Sequence, residues 1–422
     1  MTETGGGARD WHDGAALTLS FKTSLVPGAL VLAALAATGL RSAPVSSPPL
    51  VTGPVNISPL GQPLPPAEVD VAPVAMLVDM GSGRVLYQKD VARPFLPASV
   101  TKTMTTFVAF ELLSQGKIRP DTVMTVSNQA YRDWHMTGSR MFLEQAQKVT
   151  VDQLLTGIMT VSANDGAVVL GEGVAGSVKG WTDMMNATAH RLGMIDSHFN
   201  TPNGYMDKGQ TYVSARDLVK LATAMIERHP DLYHRYVGRP GLVFNGVAQN
   251  NHDPLLGKFP GADGIKTGFT GEAHYNYLGS AERHGRRLVM VLAGVEKPGD
   301  RARAARALME WGFDQWDDAP LFSQGQKLGV AHVQGGLSPD VPLVAPRQLS
   351  ATVPHGTREK VSMKITYDGP LQAPIAKGAQ IARLEVKMGQ DVPVTVPLLA
   401  GADVPAGSWM DRLMQGFRRF FA

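Results

Sequence analysis

Three short motifs in this chain contain the groups that an acyl-transfer reaction needs. In chain order they are Ser99-Val100-Thr101-Lys102, Ser162-Ala163-Asn164 and Lys266-Thr267-Gly268. A serine hydroxyl is a weak nucleophile until a neighbouring base removes its proton, and a lysine amine with a lowered pKa can be that base. The motifs therefore predict a serine nucleophile, its base, a proton relay and a strand that holds an anion.

Ser99 and Lys102 have the spacing of neighbours on one helix face, so the amine can reach the hydroxyl. For Lys102 to act as a base its pKa must fall towards neutrality, and both burial and a second cation would lower it. Lys266 is the candidate for that cation. We also expect the N–H of Ser99, at the start of its helix, to bind an oxyanion.

The other two motifs are predicted to contact the substrate. Ser162 and Asn164 are expected in a loop between two helices, where the hydroxyl relays a proton to the leaving amine and the amide holds a substrate carbonyl. Thr267 and Gly268 belong to a strand that a peptide can approach closely, because glycine has no side chain. The main-chain N–H of Phe269 is expected to complete the oxyanion hole.

No single motif is specific. The S-x-x-K pattern recurs as Ser114-Gln115-Gly116-Lys117, which we interpret as chance, and Ser-Ala-Asn alone is more often a loop or a helix cap. The ordered set of S-x-x-K, S-x-N and K-T-G carries the prediction.

The elements around the motifs predict one mixed α/β domain over residues 71–318. Strands at both ends with helices between them imply that the N-terminal and C-terminal strands share a sheet. The predicted elements are a hairpin of residues 74–78 and 85–87, a helix from Ser99, a mostly helical segment over 130–192, strands over 275–281 and 287–293, and a helix over 300–311 ended by Gly312.

Residues 319–405 predict a small all-β domain, a β-sandwich. Apolar and polar residues alternate over 361–367 and 383–388, and the alternation resumes over 392–396 after a turn at Gly389. No cluster of polar residues there resembles a reaction site. We interpret this domain as a spacer or docking module.

The N-terminal residues predict export. Lys22 precedes an apolar run from Leu25 to Leu40, the length of a signal-peptide core and short for a membrane span. Cleavage is expected after Ala34-Leu35-Ala36 or after Arg41-Ser42-Ala43, and we interpret residues 1–43 as the targeting segment. The alternative is that this segment is not cleaved and anchors the chain. Residues 44–70 are rich in proline and predict an extended tether.

Residues 406–422 predict an amphipathic helix too short to span a bilayer. Its aromatic face and basic flank suit the membrane interface, and packing on its own protein is the alternative. The apolar face consists of Trp409, Met410, Leu413, Met414, Phe417, Phe420 and Phe421.

Composition narrows the function classes. The 422 residues include no cysteine, which excludes thiol catalysis, thiolate metal sites and disulfides and fits an exported protein. A formal net charge of +3 is too small to indicate a nucleic-acid partner. No histidine pair has metal-ligand spacing and no Gly-rich phosphate loop follows a strand, so we expect neither a metal nor a cofactor.

The motifs resemble those of the low-molecular-mass penicillin-binding proteins, the serine-type D-alanyl-D-alanine carboxypeptidases. Further similar segments are Gly138-Ser139-Arg140-Met141-Phe142-Leu143, Thr201-Pro202-Asn203-Gly204, Ser214-Ala215-Arg216-Asp217 and Asp300-Arg301 ahead of Trp311-Gly312-Phe313. The β domain and terminal helix also resemble this family, and the resemblance covers the chain from about Ala72 onwards.

The resemblance implies Ser99 as the acylated nucleophile, Lys102 as its base, Ser162 as the relay and Lys266 as the lysine of the K-T-G strand. It implies that Arg301 helps hold the substrate's terminal carboxylate. The implied substrate is the peptidoglycan pentapeptide stem, with β-lactam antibiotics as covalent inhibitors, at the periplasmic face of the cytoplasmic membrane. Asn203 stands where family members often have histidine, and Phe269 stands where some members have it. Neither departure removes a catalytic group, and both are expected to alter substrate preference.

Three alternatives remain at this point. A class A β-lactamase shares the motifs, but no E-x-x-L-N pattern occurs between Ser162 and Lys266. A DD-endopeptidase that cleaves cross-links keeps the family and changes the reaction, although the β domain favours the carboxypeptidase. An idle wall-binding protein is disfavoured by the intact Ser99, Lys102, Ser162 and Lys266.

Overall fold

The computed structural model describes residues 62–357 and 360–408 of the chain. The described residues form two compact units. One contains residues 64–321 and 349–356, and the other contains residues 62–63, 322–348 and the described residues from 357 onwards. The predicted targeting segment over 1–43 and the amphipathic face from Trp409 lie outside the described residues.

The helices all belong to the first unit. They are α1 (Lys102–Ser114), α2 (Asn128–Trp134), α3 (Val151–Thr160), α4 (Asn164–Ala175), α5 (Val178–Arg191), α6 (Ala215–Arg228), α7 (Pro230–Tyr236) and α8 (Pro298–Asp314). Two 3-10 helices, Ala67–Val71 and Ala98–Thr101, accompany them. The predicted tether therefore ends in a 3-10 helix rather than extended chain, because the buried Val69 packs into the core.

The strands are numbered through both units. They are β1 (Val74–Asp79), β2 (Val85–Lys89), β3 (Val123–Thr125), β4 (Lys148–Thr150), β5 (Gly241–Phe244), β6 (Val247–Asn250), β7 (Ala262–Thr270), β8 (His274–Arg283), β9 (Arg286–Val295), β10 (Trp316–Phe322), β11 (Lys327–Gln334), β12 (Asp340–Val344), β13 (Leu349–Pro354), β14 (Val361–Thr366), β15 (Leu371–Gln372), β16 (Gln380–Met388) and β17 (Val394–Ala400).

A five-stranded sheet organises the first unit, in the order β2-β1-β9-β8-β7. All neighbouring strands are antiparallel, and β1 pairs with β9. The prediction of a mixed α/β domain whose first and last strands share a sheet is confirmed. Strand β7, which carries the K-T-G motif, lies at one edge of this sheet.

Both faces of the sheet are covered, which explains the unbroken apolar run of β1. Val74, Met76 and Val78 pack with helices α1 and α3 to α6 on one face. Ala75 and Leu77 point the other way and pack with α8. A strand buried on both faces must be apolar at every position. Each Å² of apolar surface removed from water stabilises the fold by roughly 25 cal/mol. Burial on both faces therefore holds in place the sheet that carries the site.

The prediction that Gly312 ends the last helix is wrong. Helix α8 continues to Asp314, and Gly312 lies inside it. A Cβ at Gly312 would lie 2.6 Å from Leu77 and 2.8 Å from Leu288. Glycine stands here because α8 packs too closely on the sheet for a side chain. The gain from this close packing outweighs the cost of about 1 kcal/mol that a glycine brings to a helix interior.

The second unit contains a six-stranded sheet in the order β14-β16-β17-β12-β11-β15. The all-β prediction is confirmed, and period-two alternation explains it. In β16, Ala382, Leu384, Val386 and Met388 are buried while the residues between them are exposed or half-buried. Strands β11, β12 and β15 were not predicted, because their alternation is short or interrupted by proline and glycine.

Candidate active site

Ser99 lies in a tight turn ahead of α1. Residues Ala98–Thr101 form a 3-10 helix, and the α-helix begins at Lys102. The predicted helix from Ser99 thus starts with a tighter turn than expected. Ala98, directly before the serine, has a φ of 47°. Non-glycine residues rarely adopt such left-handed values, and those that do cluster at functional sites.

Strand β7 lies directly against the serine turn at Gly268. A Cβ at this position would lie 2.4 Å from the carbonyl oxygen of Pro97 and 3.2 Å from the nitrogen of Ser99. Only glycine allows this approach. The glycine of the K-T-G motif therefore brings the K-T-G strand next to the N–H of the candidate nucleophile.

Asn276 fixes the same turn from the neighbouring strand. It stands on β8 opposite Gly268. Its Nδ2 donates to the carbonyl of Leu96 at 2.8 Å, and its Oδ1 accepts the N–H of Gly294 at 2.9 Å. This buried amide ties the chain before Ser99 to strands β8 and β9.

Lys102 is fully buried, and its Nζ lies within hydrogen-bond distance of three oxygens. The distances are 2.8 Å to Ser99 Oγ, 2.7 Å to Asn164 Oδ1 and 2.8 Å to the main-chain oxygen of Asn203. The Asn164 Nδ2 donates to the carbonyl of Thr137 at 3.3 Å. This second contact orients the amide with its oxygen towards the lysine.

These contacts determine what a neutral lysine can do. The oxygens of Asn164 and Asn203 can only accept hydrogen bonds. A neutral amine has two N–H groups and one lone pair, so it donates to these two oxygens and its lone pair faces Ser99. The serine hydroxyl then donates to the amine. This is the geometry of a nucleophile beside its general base.

The surroundings favour the neutral amine. Burial holds the pKa of Lys102 well below its usual range, and the positive charge of Lys266 lowers it further, while the carboxylate of Asp165 opposes the shift. Burial disfavours any charged form, and a nearby like charge does the same. The two causes expected from the sequence are therefore both present.

Lys266 is the second cation. It is buried on β7, and its Nζ donates to the carbonyl of Thr267 at 3.0 Å. Burial lowers the pKa of Lys266 to about 7, while the carboxylate of Asp253 raises it and the guanidinium of Arg301 lowers it. The charge of this lysine is thus set first by burial and then by one anion and one cation that act in opposite directions.

Asp253 holds its position through Tyr277. The tyrosine hydroxyl lies 3.0 and 3.1 Å from the two carboxylate oxygens, and the N–H groups of Leu255 and Leu256 donate to Oδ1 at 2.8 and 3.0 Å. Burial raises the pKa of Asp253, and the two backbone N–H donors and Tyr277 oppose this shift. The carboxylate is therefore a fixed counter-charge for Lys266.

Arg301 lies near the start of α8 and is buried. Its Nη1 lies 3.5 Å from the carbonyl oxygen of Asn276, and its guanidinium carbon lies 5.5 Å from the ring centre of Tyr275. Phe269 stacks on the Tyr275 ring, with the two ring centroids 4.2 Å apart. The Phe269 side chain is 53% exposed. These groups surround the end of β7, whose outer edge is unpaired in the five-stranded sheet and is open to an added strand.

Ser162 lies between α3 and α4, in a loop between helices as expected. It is buried, and its φ of 64° is left-handed. Its Oγ has no hydrogen-bond partner among the residues that the structure describes. Buried hydroxyls normally have one. The structure thus joins Ser99, Lys102 and Asn164 directly and leaves the Ser162 hydroxyl unbonded.

Asp165 was not predicted as a site residue. Its carboxylate accepts the N–H groups of Met141, Leu143 and Gly166 at 3.0, 3.1 and 2.8 Å. Burial raises the pKa of Asp165, and these donors oppose the shift. The carboxylate ties the loop before β4 to the start of α4, where Asn164 is located.

Three further groups were missed for different reasons. Asn203 contributes its main-chain oxygen, which side-chain motifs cannot reveal, although it lies in a segment that resembles the family. Asp253 and Asn276 have no local signal in the sequence. Within the described ranges, no group of three or more histidine, cysteine, aspartate or glutamate side chains is arranged to hold a metal ion.

Comparisons with known proteins agree with this geometry. Residues 63–297 match the family described as D-alanyl-D-alanine carboxypeptidase, and residues 316–406 match the C-terminal domain of penicillin-binding protein 5. The D-alanyl-D-alanine carboxypeptidase DacD of Escherichia coli is 31% identical over 347 residues, which cover 81% of this chain and 89% of the relative. DacF of Bacillus subtilis is 29% identical over 358 residues, covering 82% and 90%.

Solved structures show the same likeness. Penicillin-binding protein 5 from Haemophilus influenzae has a TM-score of 0.68 and 31% identity, over 81% of this chain and 99% of that one. Penicillin-binding protein D2 from Listeria monocytogenes, in its ampicillin-bound form, has a TM-score of 0.52 and 28% identity, over 58% and 98%. Fold, motifs and sequence agree, and the chain belongs to the serine-type D-alanyl-D-alanine carboxypeptidase family of penicillin-binding proteins.

Proposed function

We propose that this chain removes the terminal D-alanine from peptidoglycan pentapeptide stems through an acyl-Ser99 intermediate. The observation that carries the proposal is the environment of Lys102. Its Nζ lies 2.7 and 2.8 Å from two oxygens that can only accept and 2.8 Å from the Ser99 hydroxyl, so the neutral amine would direct its lone pair at the serine. The carboxypeptidase names of the relatives support the substrate class.

In acylation, Lys102 takes the proton of Ser99 as Oγ attacks the carbonyl carbon of the penultimate D-alanine. The N–H groups of Ser99 and Phe269 hold the oxyanion that forms. The C–N bond then breaks, and the proton passes from Lys102 to the leaving amine with Ser162 as relay. The unbonded, buried Oγ of Ser162 supports this role, because a hydroxyl without a protein partner is available to a substrate. Free D-alanine leaves, and Lys102 is neutral again.

Deacylation repeats the same steps with water. Lys102 takes a proton from the water that attacks the ester carbon, and the proton returns to Ser99 Oγ as the ester bond breaks. Acylation and deacylation both need a general base beside Oγ of Ser99. A single buried lysine that titrates without leaving its contacts serves both.

The substrate is proposed to lie along the free edge of β7. Thr267 and Gly268 contribute main chain to which an extended peptide can pair, and Asn164 holds a substrate amide. Lys266 and Arg301 together attract the terminal carboxylate, since both are buried beside this edge. β-Lactams present a similar acyl group and carboxylate, so we propose that they acylate Ser99 and block the site, as the ampicillin-bound form of the Listeria protein suggests.

We also propose that the protein is exported and held at the periplasmic face of the cytoplasmic membrane. The apolar run after Lys22 supports export, and the aromatic face and basic flank of residues 409–422 support peripheral attachment. None of the helices in the described part of the chain is both long and apolar enough to cross a bilayer.

Ser99→Ala is expected to abolish D-alanine release and covalent labelling by a fluorescent penicillin, because the oxygen that forms the acyl bond is lost. Mass spectrometry and gel fluorescence measure both. Ser114→Ala is the matched control at the chance S-x-x-K motif, where Oγ contacts His229 Nδ1 at 3.0 Å, and it should retain both activities. Stoichiometric labelling of the Ser99→Ala protein would contradict the assignment.

Lys102→Ala is expected to slow acylation by about 10²-fold or more, the usual loss for a general base.

The pH profile of acylation tests the role of Lys266. The acylation rate should rise with pH as Lys102 loses its proton. In Lys266→Gln the nearby positive charge is gone, so the pKa of Lys102 rises and the inflection moves to higher pH. Stopped-flow acylation with a chromogenic β-lactam measures it, and an unmoved inflection rules out this coupling.

Arg301→Ala is expected to weaken substrates with a free terminal carboxylate more than amidated ones. A hydrogen bond to a charged group is worth about 1.5–3 kcal/mol, which corresponds to roughly 10-fold to 150-fold in kcat/KM. Arg303→Ala on the same helix is the control, because its side chain is 69% exposed and pairs with Asp300. An equal loss on both substrates would show that Arg301 acts only on the fold.

Removal of residues 409–422 is expected to release the mature protein from membranes without loss of activity on soluble peptides. Each basic residue near an anionic surface contributes about 1 kcal/mol, and the apolar face adds to that. The N-terminus of the fractionated protein should be sequenced, because an uncleaved apolar segment would anchor the chain by itself. Truncated, cleaved protein that still sediments with membranes would refute the role of this helix.

A further inference from the structure

The β domain has a cavity where its sheet fails to close. The two edge strands, β14 and β15, follow each other in the chain and are joined by residues 367–370. The cavity, of about 280 Å³, lies at this connection and the start of β16. Its volume lies just below the range of roughly 300–1,000 Å³ that ligand pockets occupy, so it suits one small ligand unit.

Three polar side chains that line this cavity have no hydrogen-bond or ion-pair partner among the residues that the structure describes. Asp368 and Arg383 carry opposite charges, and Gln380 contributes an amide. Within the described residues none of the three side chains makes a hydrogen bond or an ion pair, and all three residues are exposed. A net-neutral set of strong donors and acceptors around one cavity is available to a ligand.

Apart from Thr366, the remaining lining residues are apolar or aromatic, and part of this surface is fixed in position. Leu371 and Ile381 contribute aliphatic surface, and Tyr367 contributes an aromatic ring. Gly369 allows this ring to pack on the main chain, because a Cβ there would lie 2.6 Å from the ring. The Tyr367 hydroxyl also accepts the N–H of His332 at 3.4 Å. A ring held before binding costs less to order when a ligand arrives.

We propose that this cavity binds one neutral sugar unit of a glycan strand. A ligand with a single charge would meet one opposite and one like charge in Asp368 and Arg383, so the lining selects neither sign. A sugar ring instead presents hydroxyl groups around its rim, which both donate and accept, and C–H faces that pack on aromatic and aliphatic side chains. The site lies outside the catalytic unit and adds a binding function to the proposed reaction.

The choice of probe rests on the proposed function, because peptidoglycan stems are attached to strands of N-acetylated hexosamines. Ligand-observed NMR titration of the full chain with the soluble trimer of N-acetylglucosamine measures binding. D-Alanine release from a soluble pentapeptide is measured on the same samples. The two readouts separate failure of the sugar site from failure of the carboxypeptidase proposal.

Asp368→Asn and Arg383→Gln are each expected to raise the Kd for the trimer by about tenfold, the effect of losing one hydrogen bond to a charged group. Both side chains are at the surface, so the fold should be kept, and Tyr367→Ala adds a test of the ring. Lys387→Gln is the control, an exposed cation on the same strand outside the cavity. It should bind like the unmodified chain. D-Alanine release should be unchanged in all four variants.

Three outcomes would overturn the proposal. The first is an active chain that does not bind the trimer up to its solubility limit. The second is binding that all the cavity variants retain, which would locate the sugar elsewhere. The third is tighter binding of free D-alanine than of the trimer, lost in the Asp368 and Arg383 variants, which would make the cavity a site for a zwitterion.

Discussion

The site depends on the cost of burying one lysine amine. An ammonium ion removed from water without compensation costs several kcal/mol. Lys102 meets that cost in two ways, since Ser99, Asn164 and Asn203 surround its nitrogen and its pKa falls so that the neutral form is available. Two of these oxygens cannot give a proton, so the only group that can donate one to the neutral amine is the serine hydroxyl.

Much of the surrounding structure keeps these three oxygens in place. Asp165 fixes the start of α4 through three backbone N–H groups, which sets Asn164. Gly138 leaves room for that amide, since a Cβ there would lie 2.6 Å from Asn164 Nδ2. Asn276 and Gly268 hold the turn that carries Ser99 against two strands of the sheet. A buried polar group is specific only when every partner is fixed, and here the partners come from distant parts of the chain.

The sequence predicted what short spacing can encode. Ser99 and Lys102 are close because they share a helical turn, and strands at both ends of an α/β pattern predicted a shared sheet. The edge position of β7 in that sheet was not predicted. It could not predict Asn203, whose carbonyl contacts Lys102 across 101 positions of sequence. It was wrong about Gly312, because a glycine that ends a helix and one that packs on a sheet look alike locally. Long-range contacts and main-chain atoms carry no sequence pattern of their own.

Two lysines of the same chemical type acquire different tasks from their neighbours. Lys266 has Asp253 as a fixed anion, which partly offsets the effect of burial and leaves its pKa at about 7. For Lys102 the next largest influence after burial is the charge of Lys266, and the carboxylate of Asp165 opposes it less strongly. When one proton leaves this pair, the lysine beside Ser99 is therefore the one favoured to lose it. Below about pH 7 Lys266 then keeps its charge for the substrate's carboxylate, so base and anion receptor coexist on the acid side of the Lys266 pKa.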